Sequence, residues 1–186
     1  YIQHNGDTLL ADYMKYEDVY KLVDYVNTLK GMAPMLSGKK AMYAFNKDKE
    51  LISKHTNHFS ITYVDTIEDI DDDIFKITVC DPIDPVKNCL EGPLSCIKGF
   101  EVKPSGDCWI DINKKGQSKA DSGVFLQKTL SISEEETMVF GDSDNDLSMF
   151  THAYYSFAMK NADHFIQSKA RFVTQEDNDH DGVMKT

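Results

Sequence analysis

A chain of 186 residues with 41% hydrophobic side chains has enough apolar material for one large domain or two small ones, an ordinary globular composition. Its formal net charge of −11 repels nucleic acid and anionic membrane surfaces, and no basic cluster interrupts that field, so neither is expected as a partner. No apolar stretch approaches the roughly 18 residues of a membrane span, and no charged, apolar leader opens the chain, so a cytoplasmic protein is expected.

The first residues, Tyr1-Ile2-Gln3, read as a short strand entering a turn at Asn5-Gly6-Asp7, where Gly6 can take a positive φ. Val19, Leu22, Val23, Val26 and Leu29 then recur at helical spacing, with Glu17 and Asp18 in the first turn and Gly31 placed to end the helix. From 31 to about 107 the texture changes, because all five prolines (Pro34, Pro82, Pro85, Pro93, Pro104) fall among short apolar runs. Residues 41–45, 74–79 and 100–102 read as strands, and the acidic run 68–73 reads as a solvated face. His55 and His58 could meet on a helix, but with no nearby third ligand they read as surface histidines. Cys80, Cys89, Cys96 and Cys108 form no C-x-x-C pair, which argues against a zinc or redox motif and for reduced thiols. This middle region has the look of a small α+β module inserted into something else.

After Gly106 the pattern becomes regular. Residues 109–112 read as a strand, and Ser118 with Asp121 forms a capping box opening a helix through Val124, Leu126 and Leu130. A strand at 138–140, a short helix carrying Leu147 and Phe150, a strand at 154–159, a helix capped by Asn161 and a strand at 171–174 follow. Such alternation predicts βα units and a mostly parallel sheet with helices on its faces. Near the end, Asp177, Asp179, Asp181 and Gly182 match the opening half of a calcium-binding loop but read as a polar loop.

The stretch Met138-Val139-Phe140-Gly141-Asp142-Ser143-Asp144-Asn145-Asp146 is an apolar run that breaks at a glycine into three carboxylates and an amide. In open parallel sheets ligands collect at the carboxyl ends of strands, so hard oxygen ligands there form a candidate divalent-cation site, with Mg2+ the natural occupant. Two other readings stand beside it. Ser143, Asp144 and Asn145 suit the N-cap of a following helix, and the alternating acids suit a calcium loop, although Leu147 occupies the position where that loop needs glycine. Lys119, Asp142 to Asp146, and Asn161 are all expected on the carboxyl side of the sheet. A carboxylate-held metal, a lysine and helix N-termini together suit a phosphoryl group.

Gly-Asp-Ser-Asp-Asn-Asp-Leu-Ser-Met at 141–149, with Ile110-Asp111-Ile112 and Lys119-Ala120 before it and Ala158-Met159-Lys160-Asn161-Ala162 and Asp181-Gly182-Val183 after it, resembles the haloacid dehalogenase superfamily. More closely it resembles the Cof-type phosphatases. The resemblance implies an α/β fold in which a Rossmann-like core carries an inserted α+β cap domain. Residues 1–12 would then be a core segment, 13–107 the cap and 108–186 the remaining core. It further implies Mg2+-dependent hydrolysis of small phosphate monoesters such as sugar phosphates, with a phosphorylated metabolite as substrate. Asp142 would ligate the metal with Asp146 in support, Lys119 would offset charge on the nucleophile and phosphoryl group, Asn145 would orient substrate, and Asn161 would contact it or cap a helix.

One departure accompanies the match. The family attacks phosphorus with an aspartate of an Asp-x-Asp-x-Thr-like motif at the first strand, and the chain lacks that motif. Ser37 after Pro34-Met35-Leu36 mimics the second motif but comes too late in the order. The expectation is therefore an incomplete core without its first βαβ unit, a segment of at least roughly 30 residues, inactive alone and prone to self-association through uncovered sheet. The alternatives are a phosphatase-like binding or regulatory module without a nucleophile, and a calcium-binding protein.

Overall fold

A computed structural model describes residues 1–56 and 60–186; His58 lies outside the described residues. The chain divides into two compact units, Tyr1–Lys115 and Gly116–Thr186.

In the first unit, Asn5 and Gly6 both take positive φ (50° and 89°), the combination that lets a two-residue turn follow the strand twist. They join β1 (Ile2–His4) to β2 (Asp7–Leu10). Helix α1 (Tyr16–Asn27) buries Val19, Leu22, Val23 and Val26 of the expected stripe and ends with Thr28 as its C-cap, ahead of Leu29 and Gly31. The chain then runs through β3 (Ala33–Gly38), β4 (Met42–Phe45), α2 (Lys49–His55), β5 (Ile61–Val64), β6 (Ile74–Cys80), α3 (Pro85–Leu90), β7 (Phe100–Gly106) and β8 (Trp109–Lys114). The last six strands form one sheet in the order β5-β4-β3-β6-β8-β7, antiparallel except for the β4–β5 pair. Alternation along the strands sends Leu36, Ile77, Val79, Ile110 and Ile112 to a core shared with α1. Met35, Ala44 and Cys80 go to the opposite face, where they pack with Ile52 of α2. All four cysteines are free, and only Cys96 is exposed.

Two strand expectations change here. Residues 109–112 do not open the alternating half of the chain: β8 lies antiparallel between β6 and β7, with Trp109 opposite Cys80 and Ile110 opposite Val79. The cause is the core, because Ile110 and Ile112 are fully buried beside α1's residues and a tight turn after Gly106 returns the chain as a hairpin. Strand β3, which is not among the strands read from the sequence, carries Pro34. Pro34 pairs only with Val79 of β6, since the partnership with β4 begins at Met35, so its missing N–H falls where one neighbour is absent. The boundary between the two units falls after Lys115, and residues 1–12 lie in the first unit.

The second unit alternates as expected. Helix α4 (Lys119–Leu130) opens at Ser118, whose hydroxyl accepts the Asp121 N–H at 3.1 Å while the Asp121 carboxylate accepts the Ser118 N–H at 2.8 Å. Strands β9 (Met138–Gly141), β10 (Tyr155–Ala158) and β11 (Phe172–Val173) form a parallel sheet in the order β11-β10-β9. The connections carry α5 (Leu147–Phe150) and α6 (His164–Gln167). Phe150, Ala158, Ala162 and Ile166 form the core under these helices. Asn161 is not the cap of α6. Asp163 caps it, accepting the Ile166 N–H at 2.9 Å, because an N-cap side chain reaches only the second or third N–H ahead of it. Among the described residues no helix is long and apolar enough to cross a membrane.

Candidate active site

The carboxyl end of β9 is built around a missing side chain. A Cβ at Gly141 would fall 2.4 Å from the Asp146 Cβ, so only glycine lets the turn after the strand fold Asp146 back against it. Folded back, Asp146 is 3% exposed. Its Oδ1 accepts from Lys119 Nζ at 2.5 Å, and its Oδ2 accepts from the Asp142 and Ser143 N–H groups at 3.0 and 3.3 Å. Burial alone would push this carboxyl up. The Lys119 ammonium and the two backbone N–H groups outweigh it and hold the group below the usual carboxylate range. Lys119 stands in the first turn of α4 with about half of its side chain in solvent, leaving ammonium protons directed outward.

These groups open onto a pocket of about 460 Å³. Lys119, Asp142 and Asp146 supply charged groups to its lining, and Phe140, Met159 and Val183 apolar ones. Asp142 is exposed, and among the described residues nothing hydrogen-bonds its carboxylate. The structure thus brings Lys119, Asp142 and Asp146 together. It does not bring the other two expected residues into the lining: Asn145 is exposed elsewhere on the turn, and Asn161 holds the Asn178 N–H at 3.1 Å.

The remaining wall comes from the segment after β11, which supplies Asn178, Asp181, Gly182 and Met184. Asp181 adopts the left-handed conformation with φ 59°, and Gly182 packs so closely that a Cβ would lie 2.2 Å from the Glu176 carbonyl oxygen. The Asp-Gly pair was the available signal, since such a dipeptide marks a sharp turn. The half calcium loop does not assemble, because the Asp177 carboxylate is turned to the Asp179 N–H at 3.1 Å and to His180 Nδ1 at 2.6 Å. Nor do Asp142, Asp144 and Asp146 converge, since Asp146 is turned to Lys119.

Among the described residues no three His, Cys, Asp or Glu side chains cluster as an all-protein cation cage. The donor set instead fits an ion that keeps several waters and takes phosphate oxygens, as Mg2+ does. Asp142 offers its carboxylate for that purpose, whereas both oxygens of Asp146 already accept hydrogen bonds and suit it to an orienting part.

Comparison with known proteins places the chain in a family. The haloacid dehalogenase-like hydrolase family matches residues 1–186. The 5-amino-6-(5-phospho-D-ribitylamino)uracil phosphatase YbjI of Escherichia coli is 27% identical over 88% of this chain and 61% of its own length. The Bacillus subtilis phosphatase YcsE, named for the same compound, is 31% identical over 55% of this chain and 41% of its own. The crystal structure of SMU.1108c from Streptococcus mutans superposes with a TM-score of 0.78 at 24% identity, covering 95% of this chain and 68% of that one, and shows a shared fold. The chain therefore spans less than two thirds of these curated relatives. With a family match along its whole length and the motif turn folded onto Lys119, the chain belongs to the haloacid dehalogenase-like hydrolases, in their Cof-type branch.

Proposed function

We propose that this chain carries the cap and the metal-side half of a Mg2+-dependent phosphatase for small phosphate monoesters, sugar phosphates and phosphorylated polyols among them. The observation that carries the reading is the Lys119–Asp146 pair at 2.5 Å beside the exposed carboxylate of Asp142. Asp142 would hold the ion, which when bound supplies Lewis-acid stabilisation of phosphoryl oxygens. Asp146 orients the site by fixing the Lys119 ammonium and the backbone at Asp142 and Ser143. Lys119 keeps donors free for phosphoryl oxygens, and Asn145, exposed on the same turn, would meet substrate outside the pocket. The names of YbjI and YcsE support a phosphorylated ribityl compound as the kind of substrate to try first.

In this reading residues 13–107 are the α+β cap, residues 1–12 and 108–186 belong to the core, and the aspartate nucleophile, whose Asp-x-Asp-x-Thr motif is not among these residues, comes from a further βαβ unit. Hydrolysis of an aryl phosphate with Mg2+ tests it. Turnover is expected from a form extended at its N-terminus by such a unit, silenced by Asp142→Ala, and not from the 186 residues alone. Robust turnover by the 186 residues would refute the assigned nucleophile. Inertness of both forms would favour a binding module.

A further inference from the structure

Asn161 has no place in the pocket lining, yet it holds a residue of the far wall. Its Oδ1 accepts the backbone N–H of Asn178 at 3.1 Å, and Asn178 lines the pocket with Asp181. Just before this wall, Glu176 is tethered to the strand end that carries Asn161: its carboxylate accepts from Lys160 Nζ at 3.3 Å, and its carbonyl accepts at 2.6 Å from the Thr174 hydroxyl, which itself accepts the Lys160 N–H. Val183 and Met184 are 46% and 85% exposed, so apolar burial contributes little to the wall's placement. Beyond Glu176, and apart from the Asn161 bond, the hydrogen bonds among the described residues are internal to the segment, Asp177 with Asp179 and His180 and the Gly182 N–H with the Asp177 carbonyl among them. On the other side, Asn161 follows Met159, which lines the pocket and whose N–H donates to the Gly141 carbonyl at 2.9 Å. The carboxamide therefore bridges the loop to the strand end from which Asp142 projects.

We propose that Asn161 is a positioning residue: it does not contact the phosphoryl group, but sets the distance between the Asn178–Asp181 wall and the Lys119–Asp142 end of the pocket. This rests on the pocket being the phosphate site proposed above. The acceptor oxygen is the operative atom, which separates the proposal from direct binding. A side chain that contacts an anion does so through its NH2 donors, and aspartate would destroy that contact, whereas aspartate keeps the oxygen that Asn178 needs.

The test compares Asn161→Ala and Asn161→Asp in the 186-residue chain by amide hydrogen exchange at Asn178 and by titration with inorganic phosphate in the presence of Mg2+. Asn161→Ala is expected to speed Asn178 exchange and weaken phosphate binding, each about five- to tenfold for one lost hydrogen bond, with Asn161→Asp, which keeps the acceptor oxygen, restoring the slow exchange. Unchanged exchange in Asn161→Ala overturns the proposal. Faster exchange at Asn178 in Asn161→Ala with phosphate binding unchanged also overturns it, by showing that the placement of the wall does not matter to the ligand. If the parent chain does not bind phosphate, the pocket reading fails, and the exchange comparison alone decides whether Asn161 positions the wall.

Discussion

Lys119 and Asp146 form an unequal pair: the carboxylate side chain is 4% exposed and the ammonium side chain 55% exposed, at 2.5 Å. Removing the exposed partner leaves the buried one with two backbone N–H donors and no counter-charge, while removing the buried partner frees a lysine that water can solvate. Lys119→Met is therefore expected to cost about 1–3 kcal/mol of stability, read as a lower denaturation midpoint at unchanged slope. A midpoint equal to the parent's would show that the pair contributes only at the level of an ordinary surface ion pair.

Acid should dissolve the same arrangement. The Asp146 pKa is lower in the folded chain than in the unfolded one, so its contribution to stability is complete above the unfolded value, about 4, and is lost as pH falls through the depressed folded value. Asp146→Asn removes that titration. The variant should be less stable than the parent at neutral pH, and the gap should narrow as pH is lowered, measured by denaturation at a series of pH values. A constant gap would place the acid sensitivity elsewhere.

Most of the second unit is legible in the sequence because its signals are local. Ser118 and Asp121 satisfy each other's backbone N–H groups within one turn, and Gly141 followed by Asp142 marks the strand end directly. The parts that escape depend on residues far apart in the chain. Whether 109–112 starts a βα unit or closes a hairpin is decided by burial of Ile110 and Ile112 against α1, which no window around Trp109 contains. Strand β3 goes unmarked in the sequence, and only the register of β4 shows why a strand tolerates Pro34 there. Asn178 and Asp181 reach the pocket from more than thirty residues beyond Asp142, so neither announces itself beside the acidic motif.

The loop behind that wall carries its own titration. His180 Nδ1 lies 2.6 Å from Asp177 Oδ1, and this contact, with Glu176 and Asp179 nearby, raises the imidazole pKa. The protonated ring holds the contact below the ordinary histidine value, about 6.5, and the contact is lost as pH rises through the higher folded value. NMR titration of His180 should give a midpoint above that of an unperturbed histidine, and Asp177→Asn should bring it back down. A midpoint that ignores the substitution would mean the pair does not persist in solution.

Met138, Tyr155 and Phe172 stand 51%, 41% and 41% exposed on neighbouring strands of a three-stranded sheet. The Phe140, Phe157 and Phe172 rings stack across the same sheet at 5.3 and 5.0 Å. A surface of this composition favours association of the isolated chain with itself. Sedimentation velocity should show mass increasing with concentration, and Met138→Lys with Phe172→Lys should reduce it. A strictly monomeric parent at high concentration would remove the expectation.

Two glycines of the second unit make opposite predictions. At Gly141 an added Cβ would sit 2.4 Å from the Asp146 Cβ, atoms fixed by backbone on both sides, so neither can rotate away. Gly141→Ala must shift β9 or push Asp146 off Lys119, at an overpacking cost of about 1–3 kcal/mol. In the extended, active form it should also lower kcat, because the displaced carboxylate no longer orients Lys119 and the Asp142 backbone. At Gly123, inside α4, an added Cβ meets nothing within 4 Å and the backbone is helical. Gly123→Ala should therefore raise stability by about 0.5–1 kcal/mol through the smaller entropy loss of alanine on entering a helix. Thermal denaturation of the two variants beside the parent gives the comparison. If Gly141→Ala were as stable as Gly123→Ala, Asp146 would not be packed against the strand end, and the site built on that contact would need a different geometry.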